Sequence, residues 1–164
     1  MTQPDISVLV EQLSDRRGRI REGAREALVD LGGPAVPLLL PLAASPSKKL
    51  RWEVAKTLGS IADPRAIPAL VERLADRESD IRWLAAVGLI RMGPDSIPPV
   101  LRALIANPDS TALRRAAHHV LRDLGDHPEV AEVLAPVLDS LDDVDPADAI
   151  PPKALAALAK IEPL

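Results

Sequence analysis

His118 and His119 are the first residues in this chain that invite chemistry, because two imidazoles can hold a metal ion or move a proton. Adjacent residues on a helix point about 100° apart, so the pair does not converge on one ion. No HExxH accompanies them, and the third histidine, His127, follows Gly125, where the helix should stop. The pair reads as surface histidines. Asp139, Asp142, Asp143, Asp145 and Asp148, in "DSLDDVDPAD", supply carboxylates but not the central glycine of a calcium loop. That run reads as a solvated loop. Gly32-Gly33 leads into Pro34 rather than into the Gly-Lys-Ser/Thr that cradles phosphate. Ser60 follows Gly59 without a nucleophile elbow or a neighbouring base. No acid, base and nucleophile come together, so these residues predict no catalytic centre, no metal and no cofactor.

A second kind of chemistry is recognition. The chain has two tryptophans and no Phe or Tyr. They occur as "LRWEVA" (residues 50–55) and "IRWLAA" (residues 81–86), the same local context. Tryptophan and arginine are the residue types most enriched at binding hot spots.

That shared context comes from a repeat. The dipeptide Ile/Leu-Arg recurs at Ile20-Arg21, Leu50-Arg51, Ile81-Arg82 and Leu113-Arg114, at intervals of 30, 31 and 32 residues. Counting from the first residue of each pair, positions 0, 4, 8 and 11 are apolar, which is one face of a helix. Position 12 is Gly32, Ala62, Gly93 or Gly125, a helix stop that favours a left-handed backbone. A shorter helix precedes each, with apolar residues at 0, 3, 4 and 7: Ile6-Leu9-Val10-Leu13, Val36-Leu39-Leu40-Ala43, Ile67-Leu70-Val71-Leu74 and Ile97-Val100-Leu101-Leu104. Pro37, Pro68 and Pro98 sit in the first turn, where a missing N–H is tolerated. Pro41 lies deeper and predicts a kinked or shortened helix. Asp15, Ser45, Asp76 and Asn107 mark the turns between the two helices.

One such hairpin cannot bury its own apolar faces, but a stack of them can. The expected fold is all-α: a right-handed α-solenoid of about five helical hairpins forming one domain over 1–164. Its repeats span about 5–32, 33–62, 63–93 and 94–125. The degenerate cap is 126–164, where Val130, Val133, Leu134 and Val137 follow the first-helix spacing. Ile150, Ala154, Leu158 and Ile161 follow the second-helix spacing.

The composition agrees with a globular helical chain. Of 164 residues, 47% are hydrophobic and 27% charged. The net charge of −4 lacks the basic footprint that nucleic acid attracts. The absence of cysteine excludes disulfides, thiol nucleophiles and thiolate metal sites. "MTQPDISVLVEQL" has neither a basic start nor a long apolar run, so no secretory signal is predicted, no membrane span follows, and the cytoplasm is the expected location.

"DPRAIPALVERLADRESDIRWLAAVGLIRMG" (residues 63–93) and its three copies resemble HEAT repeats, and are similar to the short HEAT-like repeats of phycobilisome lyases. The resemblance covers residues 5 to 125. It implies a binding scaffold more than a particular activity. It also implies a polar ladder between repeats, formed by a turn aspartate and a second-helix arginine, which falls on Asp15, Asp76, Arg21, Arg51, Arg82 and Arg114. Ser45 and Asn107 depart from that pattern.

In such solenoids the second helices line the concave side. At about 100° per residue, positions 0, 4, 8 and 11 centre near 35°, and position 2 falls near 200°, opposite the core. Both tryptophans occupy position 2, which predicts Trp52 and Trp83 side by side on the concave face. The alternative is burial between repeats or beneath the C-terminal segment. Val87 and Ile90 extend the apolar area. Glu22, Glu26 and Asp30 make one end acidic, and Arg115, His119 and Arg122 make the other basic. The leading expectation is a non-enzymatic interaction scaffold or adaptor that binds a protein partner there. The resemblance also implies a bilin-handling, phycobilin lyase-like protein as an alternative. A DNA-binding helical-repeat protein is the other, disfavoured by the charge.

Overall fold

The computed structural model describes residues 5–142 and 146–162. Ten α-helices and no strands lie among them: α1 (Ile6–Gln12), α2 (Gly18–Leu31), α3 (Val36–Leu39), α4 (Lys48–Ile61), α5 (Ile67–Arg73), α6 (Ser79–Met92), α7 (Ile97–Ala106), α8 (Thr111–Leu124), α9 (Pro128–Asp142) and α10 (Ile150–Ile161). The chain is an all-α solenoid. The first eight helices form four hairpins in chain order, with the shorter helices in an outer layer and α2, α4, α6 and α8 in an inner one. No single helix among the described residues is long and apolar enough to cross a membrane. Asp143 and Asp145 of the acidic run, and the extreme ends of the 1–164 domain, lie outside the described residues.

The repeat pattern explains each layer. Leu28, Leu58, Leu89 and Leu121, all at position 8, are completely buried. Leu39, Leu70, Leu74, Leu101 and Leu104 meet them from the outer layer in one continuous core. Each outer helix after the first is entered through a single 3-10 turn: Gly33–Ala35, Pro64–Ala66 and Gly93–Ser96. Pro41 ends α3 after four residues, because it has no N–H to donate, and the chain continues as a 3-10 turn over Leu40–Ala44. The inner helices start on serine caps where one is available. Ser47 Oγ accepts from Leu50 N–H and Ser110 Oγ from Leu113 N–H. Three of the four inner helices end on a positive φ: Gly32 (66°), Ala62 (55°) and Gly93 (76°). Gly125 does not, with φ at −69°. A Cβ there would sit 2.8 Å from the Leu121 carbonyl oxygen, so Gly125 relieves crowding rather than permitting a left-handed turn.

The last two helices depart from the expected order. α9 packs on α8 in the inner layer and α10 packs on α7 in the outer layer, the reverse of a repeating hairpin. The first-helix reading of 130–137 and the second-helix reading of 150–161 are therefore corrected. A signal was present. Ile150-Pro151-Pro152 repeats the Ile97-Pro98-Pro99 that opens α7, and a 3-10 turn over Ala147–Ala149 precedes it, as before other outer helices.

Two mid-helix glycines show opposite physics. A Cβ on Gly23 in α2 would meet nothing within 4 Å. Gly23→Ala should therefore raise stability by about 0.5–1 kcal/mol through helix propensity alone, measured by denaturant unfolding. A Cβ on Gly88 in α6 would lie 2.8 Å from Gly59 Cα of α4 and 2.9 Å from Leu70 Cδ1. There the missing side chain lets two backbones approach.

Candidate functional site

The turns and the inner helices are tied together by arginines at position 1. Arg21 Nη1 donates to the Asp15 carbonyl at 2.9 Å, Arg51 Nη1 to the Ser45 carbonyl at 2.9 Å, and Arg82 Nη1 to the Asp76 carbonyl at 2.7 Å. The same contact, six residues back each time, staples each inner helix to its own turn. What the rest of each guanidinium does differs. Arg51 reaches the next repeat and holds both carboxylate oxygens of Asp76, at 2.8 and 3.1 Å, with both side chains buried. Burial pushes the Asp76 carboxyl up. The hydrogen bonds from Arg51 and from the Glu78 N–H, with the charges of Arg51 and Arg73, outweigh that and leave it below the usual carboxylate value.

The ladder implied by the resemblance needs correction elsewhere. Asp15 turns back to Arg17, which holds its carboxyl at about 2. Arg21 crosses instead to Glu53 of α4, at 2.9 Å, and Arg25 joins it at 2.7 Å. Arg82 and Arg114 cross to no neighbouring repeat's carboxylate among the described residues; Arg114 meets only Thr111 Oγ1, at 3.5 Å. Glu53 was not anticipated from the sequence. Its signal is that the equivalent positions are Gly23, Leu84 and Ala116, so one acid stands in an otherwise uncharged row.

The two tryptophans lie on neighbouring inner helices but are not equivalent. Trp52 is half-buried, with Lys56 Nζ 4.8 Å and Arg25 Cζ 5.9 Å from its ring centroid. Trp83 is 59% exposed and forms a ridge between two grooves. On one side, a groove of about 430 Å³ between α4 and α6 is lined by Trp52, Lys56, Val87, Asp80 and Arg91. Gly59 and Gly88 line it too, where the backbones meet. On the other side, a groove of about 400 Å³ between α6 and α8 is lined by Arg82, Arg115, His119, Ser79 and Thr111. A third, of about 480 Å³, lies between α2 and α4 beside Lys48, Lys49 and Glu53.

The structure thus brings Trp52, Trp83 and Val87 to one groove and Trp83, Arg115 and His119 to the next. Ile90 is half-buried, and Glu22, Glu26 and Arg122 are exposed, but none of these four lines the three grooves. The histidine pair splits, as adjacent helical residues must. His119 faces the α6/α8 groove, while His118 is half-buried against α9, with Nε2 3.0 Å from Asp142 Oδ1. His118 is therefore not the surface residue expected. No three His, Asp or Glu side chains among the described residues are arranged to hold a metal ion.

Comparison with known proteins adds what geometry alone does not. The HEAT-repeat family matches residues 6–90. The bilin biosynthesis protein RpcF of Synechococcus sp. (strain WH8020) is 32% identical over 105 residues, 62% of this chain and 50% of that protein. This chain thus spans about half the length of that curated relative. The structure of the complex of CpcE and CpcF of phycocyanin lyase from Nostoc sp. PCC7120 aligns over 93% of this chain and 96% of the matched chain. Its TM-score is 0.60 and its sequence identity 28%. These likenesses overturn two expectations, that the chain is a non-enzymatic scaffold and that it is no enzyme. One relative is named for bilin biosynthesis and the other for a lyase. The absence of a catalytic triad or metal motif does not exclude an activity, because a repeat protein can act through its shaped surface. With more than half its length matched, the chain belongs to the HEAT-repeat family.

Proposed function

We propose that this protein is a bilin-handling subunit of a lyase, working beside a protein partner, with the inner-helix face as its working surface. The observation that carries this is the likeness to the phycocyanin lyase complex, which extends over 93% of the chain rather than over one repeat. The local geometry supports it. A flat conjugated ligand needs an aromatic platform and flanking concavities, and Trp83 stands exposed between two grooves of about 400 and 430 Å³. The protein partner expected on this face keeps its place in the reading, because a lyase that attaches or removes a chromophore must meet the protein that carries it.

The test is direct. Biliverdin titrated into the purified protein should shift and sharpen its visible absorption and acquire induced circular dichroism, saturating at one equivalent per chain. An unchanged bilin spectrum at tens of micromolar protein would sink the reading. The partner is sought by supplying the bilin-loaded protein to apo-phycocyanin and reading chromophore fluorescence on a denaturing gel.

A further inference from the structure

We infer that the α6/α8 groove is the slot that recognises the ligand's carboxylates, with Trp83 as the stacking platform, Arg115 as the charged partner and His119 as a hydrogen-bonding partner beside it. This rests on the bilin-handling reading. A bilin is an open-chain tetrapyrrole, with a flat conjugated body and two propionate carboxylates on its middle rings. Its recognition needs an exposed π-surface and, beside it, cations free of competing acids.

Only one of the inner-layer grooves meets both needs: the α8/α9 groove shares Arg115 but includes Asp142 and borders no tryptophan. The α2/α4 groove includes Glu53 and Asp80 in its lining, and the α4/α6 groove includes Asp80. The α6/α8 groove has two guanidiniums, an imidazole and two hydroxyls, and no carboxylate. Its hydrogen-bond donors differ in availability. Arg82 is held by the Asp76 carbonyl, so it is pre-positioned at the groove's edge. Arg115 and His119 are exposed and pair with no carboxylate among the described residues. They stand four residues apart on α8, on one face of the helix, a spacing that suits two neighbouring carboxylates.

The platform is Trp83 and not Trp52. The Trp52 ring already has Lys56 and Arg25 over it, so a ligand would have to displace two cations to stack there. Trp83 is the more exposed of the two and borders the acid-free groove directly. The notional acidic-to-basic gradient along the inner face thus narrows to one pair of side chains beside one indole.

The experiment compares biliverdin with its dimethyl ester, which keeps the conjugated body and loses both charges. Binding is read by visible circular dichroism for the wild type, Arg115→Gln/His119→Gln and Trp83→Ala, with far-ultraviolet spectra establishing equal helix content. The wild type should prefer biliverdin to the ester by about tenfold or more, the scale of one or two charge-assisted hydrogen bonds. The double variant should lose that preference while still binding the ester like the wild type. Trp83→Ala should weaken both ligands. If the wild type binds both equally, or the double variant keeps its preference, the slot is elsewhere and the bilin reading stands without it. If the wild type binds neither, the bilin reading itself falls and takes this inference with it.

Discussion

Asp76→Asn is expected to lower the stability of this protein by about 3–5 kcal/mol, because it removes one partner of a buried ion pair and leaves the Arg51 charge uncompensated. For a chain of this length that is a fall in Tm of roughly 6–20 °C. The cause is specific. Arg51 donates two hydrogen bonds to the Asp76 carboxylate across the junction of two repeats, and Asp76 also accepts the Glu78 N–H that shapes the next turn. An amide keeps the size and part of the hydrogen bonding but not the charge. The companion experiment separates pairing from packing. Arg51→Met/Asp76→Leu removes both charges together, and buried pairs replaced by apolar groups are often neutral or stabilising. The double variant should therefore be more stable than Asp76→Asn. If it is less stable, the stapling of the turn carbonyls by Arg51 outweighs the pair itself.

The same residue predicts a pH dependence. Its carboxyl titrates below the usual value in the folded protein and near 3.9 when unfolded, so the unfolded chain binds the proton more readily. The stabilisation is complete well above pH 4 and is lost as pH falls from there through the folded value. Asp76→Asn should flatten this part of the acid unfolding curve. A variant that loses stability in parallel with the wild type below pH 4 would show that other carboxylates govern the transition.

Gly88→Val should have the next largest effect, near the top of about 1–3 kcal/mol, measured by chemical unfolding. Even the first carbon of the new side chain would lie 2.8 Å from Gly59 Cα, which is backbone and cannot turn aside. Relief requires α4 and α6 to separate. Both glycines also line the α4/α6 groove beside Trp83, so the same change should reshape that groove. The opposite sign expected for Gly23→Ala makes the pair a controlled comparison. Glycine in a helix is costly by itself, and at Gly88 the space a side chain would need is occupied by Gly59 and Leu70. If Gly88→Val proves neutral, the α4–α6 approach is softer than this geometry implies.

How much of this was legible beforehand depends on the range of the interaction. The apolar spacing around Leu28, Leu58, Leu89 and Leu121 determined the inner helices and their buried side, because the 3.6-residue period is a local property of the backbone. Pro41 likewise determined where α3 ends, since a missing N–H acts on its own helix. The same periodicity predicts Trp52 and Trp83 on the side away from the core, which Trp83 obeys, whereas Trp52 is half-buried and packs against the core. The period could not say that Arg25, from another helix, would cover one ring and leave the other open. Nor could it pair Arg21 with Glu53, 32 residues away, in preference to the turn aspartate. The order of α9 and α10 belongs to the same class. Their spacings fit either layer, and only packing on α8 and α7 decided between them. The apolar period was enough to say which face of each inner helix carries the core leucines. The tertiary structure alone decided which neighbour each exposed charge and ring would meet, because that depends on how separate helices are brought together and not on the period within any one of them.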